Sequence, residues 1–170
     1  RNNDVGLRHF ENDEFSTAQA TVIFMHNAIT VGIKRFDDSL PLPQYHTAGS
    51  AGIDLYARVE TTIPARGVMR VPLNIGIQLP EGTWALLAAR SSLSKKGLML
   101  ANGIGVGDAD YCGDDDEYSA ALLNVTDEDV TVARGERIVQ LIVMNFDRVE
   151  LVEKSHFTAP NRGGFGTTGA

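Results

Sequence analysis

From Val31 onward the chain is a succession of short segments rich in Val, Ile, Leu and Thr, each closed by Gly, Pro, Asn or Asp, and this texture constrains the fold more than any other feature. No window carries the apolar period of a long amphipathic helix. The segmentation predicts strands at 31–35, 52–56, 59–63, 67–72, 75–79, 83–89, 99–101, 119–125, 129–132, 137–146 and 149–152. Turn chemistry separates most of them, as in Pro64-Ala-Arg-Gly67, Pro80-Glu-Gly82 and Thr126-Asp-Glu-Asp129. One helical turn is expected, at 91–96, where serines precede two lysines. Many short strands at close spacing predict an all-β, jelly-roll-like sandwich or barrel. Residues 137–146 are apolar apart from Arg137, Gln140 and Asn145, which suits a central strand covered on both faces, by a second sheet or by another subunit.

A length of 170 residues with 43% hydrophobic composition suits one domain with its own core. We expect an irregular N-terminal extension over 1–28, a β domain over 29–157 and a flexible arm over 158–170. The apolar run 21–25 inside the extension reads equally as an edge strand or a helical turn. The single Cys112 cannot form an internal disulfide, and the N-terminus lacks the basic start and long apolar centre of a signal peptide, so an intracellular protein is expected. A formal charge of -7 argues against nucleic-acid binding, which needs clustered cations, and no apolar run approaches a membrane span. A small anionic substrate remains compatible. Arg90, Lys95, Lys96, Arg134, Arg137 and Arg162, in or beside Gly/Ser-rich segments, supply local cations for one.

Residues 101–124 concentrate the candidate chemistry. Glycines at 103, 105, 107 and 113 let the backbone take positive φ or approach a ligand, with Asp108 and Tyr111 set between them. A hairpin tip rich in Gly and Asp for local reasons is the competing reading. Cys112 lies beside Tyr111 but has no histidine in its segment to serve as a base, so a packed or half-exposed side chain is expected there rather than a nucleophile.

Other segments are individually weak. Ala51-Gly-Ile-Asp-Leu-Tyr-Ala57 puts one carboxylate, Asp54, in an apolar strand; Arg90-Ser-Ser-Leu-Ser-Lys-Lys-Gly97 offers hydroxyls and backbone N–H groups fit for phosphate oxygens, or a plain N-cap. Arg134-Gly-Glu-Arg-Ile-Val-Gln-Leu-Ile142 places Gln140 inside an apolar strand, where most amides are merely satisfied core groups. The arm carries Arg162, a cation for an anionic group, and Phe165, a ring able to stack on a planar one, and reads as a lid rather than a frayed tail.

Taken in order, the segments 51–57, 90–97, 102–113, 135–141 and 162–169 resemble the five short motifs of the trimeric dUTPase family, over roughly 31–170. The resemblance implies hydrolysis of dUTP to dUMP and pyrophosphate in sites shared between subunits of a β-sheet homotrimer. It implies that Asp108 activates the water that attacks the α-phosphorus, and that Mg²⁺ bridges the phosphates with Asp54 supporting its water network indirectly. Asn102 would read the uracil edge, with the backbone at Gly105 close to the base, and Tyr111 would lie against the deoxyribose, excluding a 2′-hydroxyl. Arg90, Ser91, Ser92 and Gln140 would contact phosphates. Phe165, with Gly166 and Thr167, would close over the uracil, and Arg162 would reach the terminal phosphate.

The sequence departs from that pattern in three places. Asp114-Asp-Asp-Glu117 follows Gly113 with about three residues more than the family carries before Asn124, expected as a solvated acidic loop at the rim of the site or, less simply, a second metal site. Gly107 stands where a branched apolar residue usually precedes the catalytic Asp. Arg162-Gly-Gly-Phe165 is about two residues shorter than usual, which bears on the reach of Arg162. Two rival readings are a dCTP deaminase of the same fold, for which Glu117 would have to activate water at the base, and a binding or regulatory protein that keeps the fold.

Overall fold

A computed structural model describes residues 28–164. It contains eleven strands and one short 3₁₀ helix: β1 (Gly32–Arg35), β2 (Ile53–Tyr56), β3 (Thr61–Ile63), β4 (Val68–Pro72), β5 (Ile75–Gln78), β6 (Thr83–Ala89), the 3₁₀ turn (Leu93–Lys96), β7 (Leu98–Leu100), β8 (Gly105–Gly107), β9 (Ser119–Asn124), β10 (Val130–Val132) and β11 (Arg137–Asn145). All pairings are antiparallel. A four-stranded sheet runs β2-β11-β6-β8 and a three-stranded sheet β4-β9-β7, with two ribbons, β1-β5 and β3-β10.

The strands form where side chains alternate between core and surface. In β6 Thr83, Ala85 and Leu87 are buried while their neighbours are not, and β9 buries Ala120, Leu122 and Asn124 in the same period. Both larger sheets feed one core: Leu55, Ala85, Val139 and Leu141 from the first meet Val71, Leu98, Leu100 and Leu122 from the second. This is the all-β architecture that the segmentation predicts.

Four local expectations are corrected. Residues 149–152 form no strand and pair with none of the described strands, and Val149, Leu151 and Val152 are 73%, 90% and 69% exposed. Conversely, Gly105-Val-Gly107 is a strand despite its glycines, held by pairing of Gly105 with Leu87 and Gly107 with Ala85. The helical turn is shorter than 91–96 and is 3₁₀. The strand expected at 99–101 runs one residue earlier, over Leu98–Leu100. In β11 of the single chain Ile138, Val139 and Leu141 are buried, Gln140 and Ile142 half-buried and Met144 exposed. The run 21–25 and most of the N-terminal extension lie outside the described residues, and the described part of the arm, 158–164, forms no helix or strand.

The acidic stretch is only in part the solvated loop that four adjacent carboxylates imply: Asp114 and Asp115 are exposed, Asp116 and Glu117 half-buried. Glu117 is drawn inward. Its Oε1 and Oε2 accept hydrogen bonds from Arg58 Nε and Nη2 at 2.7 and 2.8 Å, and Oε1 also accepts one from the backbone N–H of Asn74 at 2.9 Å. This pairing raises the pKa of Arg58. Lys34 Nζ donates to the carbonyl and carboxylate oxygens of Asp114 at 2.6 and 3.0 Å, and Asp116 Oδ2 accepts from Gly113 N at 2.7 Å. Asp114, Asp116 and Glu117 thus tie the turn down against β1 and the β4–β5 connection, although the side chain of Asp114 stays 94% exposed. The described residues contain no cluster of three or more His, Cys, Asp or Glu able to hold a metal, which leaves the second metal site without support.

One buried amide staples the opposite end of β9. Asn124 is fully buried; its Nδ2 donates to the carbonyls of Ile63 and Glu128 at 3.1 and 2.7 Å, and its Oδ1 accepts from Thr126 N and Oγ1 at 2.9 and 2.7 Å. Asn124→Ala strands these partners and is expected to lower stability by about 2–4 kcal/mol, read as a fall of several degrees in Tm by differential scanning calorimetry. Glu117→Ala leaves Arg58 and the Asn74 N–H without their acceptor. We expect it to cost about 2 kcal/mol and to make the 113–117 turn sensitive to limited proteolysis, with Glu117→Asp showing no rescue because the shorter arm cannot keep the bidentate geometry.

Candidate active site

One cluster gathers at the end of the four-stranded sheet where β2, β11 and β6 meet. Asp54 in β2 is 3% exposed, and a carboxylate so buried must be neutralised by partners. Arg90 follows the last residue of β6 and is anchored by its N–H to the carbonyl of Ile138 at 3.1 Å. Its Nε lies 3.0 Å from Asp54 Oδ1. Arg137 reaches the other oxygen, Oδ2, at 3.2 Å, aided by an irregular register between Arg137 and Val139. Gln140, directly opposite Asp54 in the ladder, donates from Nε2 to Oδ1 at 3.3 Å. His46 Nε2, from the loop before β2, sits 3.3 Å from Asp54 Oδ2 and 2.6 Å from Arg137 Nη1.

Asp54, Arg90 and Gln140 therefore meet. Arg137 belongs with them. The sequence names it as a local cation but gives no sign of its carboxylate, and His46 lies in a polar loop with nothing to single it out. Beside Arg90, Ser91 and Ser92 are exposed, and their hydroxyls make no hydrogen bond among the described residues. Lys96 is turned to Glu136 and Arg134 to Asp37, so these two cations are already matched.

A second cluster lines a cleft of about 440 Å³ between β8 and the start of β9. Asn102, Gly105, Asp108 and Tyr111 share it with Tyr118 and Arg70. Gly105 is required by close approach: a Cβ there would stand 2.9 Å from the Cβ of Leu87 on the paired strand. Asp108 ends β8 in an exposed turn closed by the N–H of Tyr111 on its carbonyl at 3.2 Å, and its carboxylate has no partner among the described residues. Tyr111 is 42% exposed, donates its hydroxyl to the carbonyl of Glu117 at 3.2 Å and meets the ring of Tyr118 edge-on, with centroids 5.6 Å apart. A second cleft of about 550 Å³ flanks β8 on the other side, lined by Trp84, Phe146 and Arg148, and Asp108 stands on the rim of both.

The two clusters do not meet within one chain. Gly107 pairs with Ala85, so Asp108 is level with Trp84, whereas Arg90 lies six residues further along β6. At the rise of a strand this separates them by about 20 Å. Arg162 is exposed and has no hydrogen bond or ion pair among the described residues; Phe165, Gly166 and Thr167 lie outside them.

The profile of the dUTPase family matches residues 38–169. The deoxyuridine 5'-triphosphate nucleotidohydrolase of Dictyoglomus turgidum is 40% identical over 148 residues, covering 83% of this chain and 99% of that protein. The enzyme of the same name from Rickettsia prowazekii is 40% identical over 147 residues, covering 83% and 97%. Among solved structures, the crystal structure of dUTPase from Streptococcus mutans superposes with a TM-score of 0.65 at 33% identity, over 70% of this chain and 98% of that one. A barrel of short antiparallel strands, an Arg-Ser-Ser turn beside a buried Asp and a glycine-lined cleft ending in Asp108 accompany this similarity, and the chain belongs to the dUTPase family.

Proposed function

We propose that this protein hydrolyses dUTP to dUMP and pyrophosphate, with Asp108 as the base that activates water, in sites completed by a second copy of the chain within a homotrimer. The observation that carries this reading is the contrast between its carboxylates. Those of Asp54 and Glu117 are saturated by guanidinium, amide and N–H donors, while that of Asp108 stands uncommitted at the rim of a cleft sized for a nucleoside.

In this reading uracil and deoxyribose enter the cleft of Asn102, Gly105 and Tyr111. Asn102 and the β8 backbone read the base edge, and the exposed ring of Tyr111 lies against the sugar, leaving no room for a 2′-hydroxyl. Water beside Asp108 gives its proton to the carboxylate as its oxygen attacks the α-phosphorus; the bond to the bridging oxygen breaks and pyrophosphate leaves. Arg90, Ser91, Ser92 and Gln140 receive the phosphates. Asp54, held between Arg90 and Gln140, fixes their orientation so that donors face the anion at no reorganisation cost. Since Asp108 and Arg90 are about 20 Å apart along β6, the phosphate group of one chain serves the nucleoside cleft of another. Arg162, Phe165, Gly166 and Thr167 of the arm close the site.

A magnesium ion fits this donor set as a companion of the triphosphate: with no described carboxylate cage, it would be held by phosphate oxygens and waters, with Asp54 linked to it only through water. When bound it supplies charge neutralisation to the leaving pyrophosphate. The deaminase alternative loses its candidate, because the carboxylate of Glu117 is committed to Arg58 and Asn74.

Incubating the chain with Mg²⁺ and, in separate reactions, dUTP, dCTP, dTTP and UTP is expected to yield pyrophosphate from dUTP alone. Ammonia from dCTP would establish the deaminase instead, and silence with all four nucleotides would favour a binding protein. Asp108→Asn is expected to reduce turnover by at least about a thousandfold while dUTP binding, followed by calorimetry, changes little. Deleting residues 161–170 is expected to lower kcat far more than Tm; equal kcat in the truncated chain would remove the lid from the mechanism.

A further inference from the structure

Tyr118 is 4% exposed and immediately precedes β9. Its backbone is clamped on both sides: its N–H donates to the carbonyl of Ile75 at 2.8 Å, and its carbonyl accepts from the N–H of Leu73 at 2.8 Å. The ring is therefore aimed, not adaptable. It points at β8, where a Cβ built on Gly107 would overlap the hydroxyl and the adjoining ring carbons. The hydroxyl thus occupies the room a side chain at 107 would need, against the α-carbon immediately before Asp108.

Among the described residues this hydroxyl is the one buried side-chain polar atom without a hydrogen-bond partner. A buried donor without an acceptor is unfavourable, and phenylalanine would fill the same volume without that cost. The donor is relieved only when an acceptor arrives. Tyr118 and Asp108 line the same cleft, and among the described residues its acidic side chains are Asp108, which is uncommitted, and Glu117, which is bound to Arg58. The other charged or titratable groups around it are Tyr111, Cys112 and Arg70. Burial first, then the charge of Asp108, push the Tyr118 hydroxyl up to about 12, so it remains a proton donor across the neutral range.

We propose that Tyr118 is a positioning residue for Asp108: its ring, seated on Gly107, sets the backbone path into residue 108, and its hydroxyl donates to the Asp108 carboxylate when nucleotide fills the cleft. The proposal rests on Asp108 acting as the base. Such a bond favours the charged carboxylate, so it lowers the pH at which the base is lost to protonation.

The test uses the full chain with dUTP and Mg²⁺. Tyr118→Phe keeps the volume and is expected to fold with unchanged or raised Tm, to keep KM within about twofold, to lower kcat about tenfold and to move the acid limb of kcat, which reports the nucleotide-bound enzyme, upward by about one pH unit. Gly107→Ala is expected to lower kcat about tenfold or more by displacing the ring or the turn. Wild-type kcat with an unmoved acid limb in Tyr118→Phe, or wild-type kcat in Gly107→Ala, overturns the proposal. Asp108→Asn separates the two failures: if that variant stays active the base assignment itself falls, whereas an inactive Asp108→Asn beside a fully active Tyr118→Phe removes only the role of Tyr118.

Discussion

A single buried carboxylate organises one end of the main sheet. Asp54 is placed by β2 in an environment that would reject its charge, and the structure resolves this with two guanidinium groups, an amide and an imidazole drawn from three other segments of the chain. Removing any one partner leaves a charge less well compensated in a site of low polarity, which is why such clusters are costly to break even when their net contribution to stability is small. The consequence for function is orientation. Arg90 is pinned by Nε on Asp54 and Nη1 on the carbonyl of Arg137 at 3.2 Å, and Gln140 by Nε2 on Asp54, so neither side chain is free to reorient.

The same sheet holds the two clusters of the chain apart. Strand β6 carries Arg90 just past one end and pairs near the other end with the short β8 that delivers Asp108. A strand is stiff and extended, so no side-chain rotation brings the two ends together. The half-open outer face of β11 and the exposed Val149, Leu151 and Val152 are apolar surface that a lone chain leaves in water, consistent with association burying them.

Much of the strand order was legible in the sequence because burial on one face imposes a period of two, as in residues 83–89 and 119–124, and because Pro and Gly mark the turns. What escaped was long-range. Nothing local in Gly105-Val-Gly107 signals a strand; it exists because Leu87 and Ala85 offer a sheet edge. The reverse holds at 149–152, where the pattern was right and the partner missing. Glu117 reads as one more member of an acidic run until Arg58, 59 residues away, is seen to hold it. In the candidate site, Asp54, Arg90 and Gln140 could be grouped by resemblance, while the cleft shared by Asn102, Asp108 and Tyr111 came from one contiguous segment. His46 carried no signal, since its role depends on a loop path that composition does not encode.

The insert and the glycine at 107 belong to one structural adjustment. Glu117 docks on Arg58, and Tyr118, next in the chain, is held between the carbonyl of Ile75 and the N–H of Leu73. From there its ring reaches β8 and occupies the volume of the side chain that 107 lacks. A branched residue at 107 and a tyrosine at 118 are therefore mutually exclusive in this backbone, because interiors tolerate little overlap. The room left by the absent side chain at 107 is thus filled by a ring supplied from beside another strand. Packing at the residue before Asp108 is thus a tertiary property: it depends on Tyr118, whose backbone is held by Ile75 and Leu73.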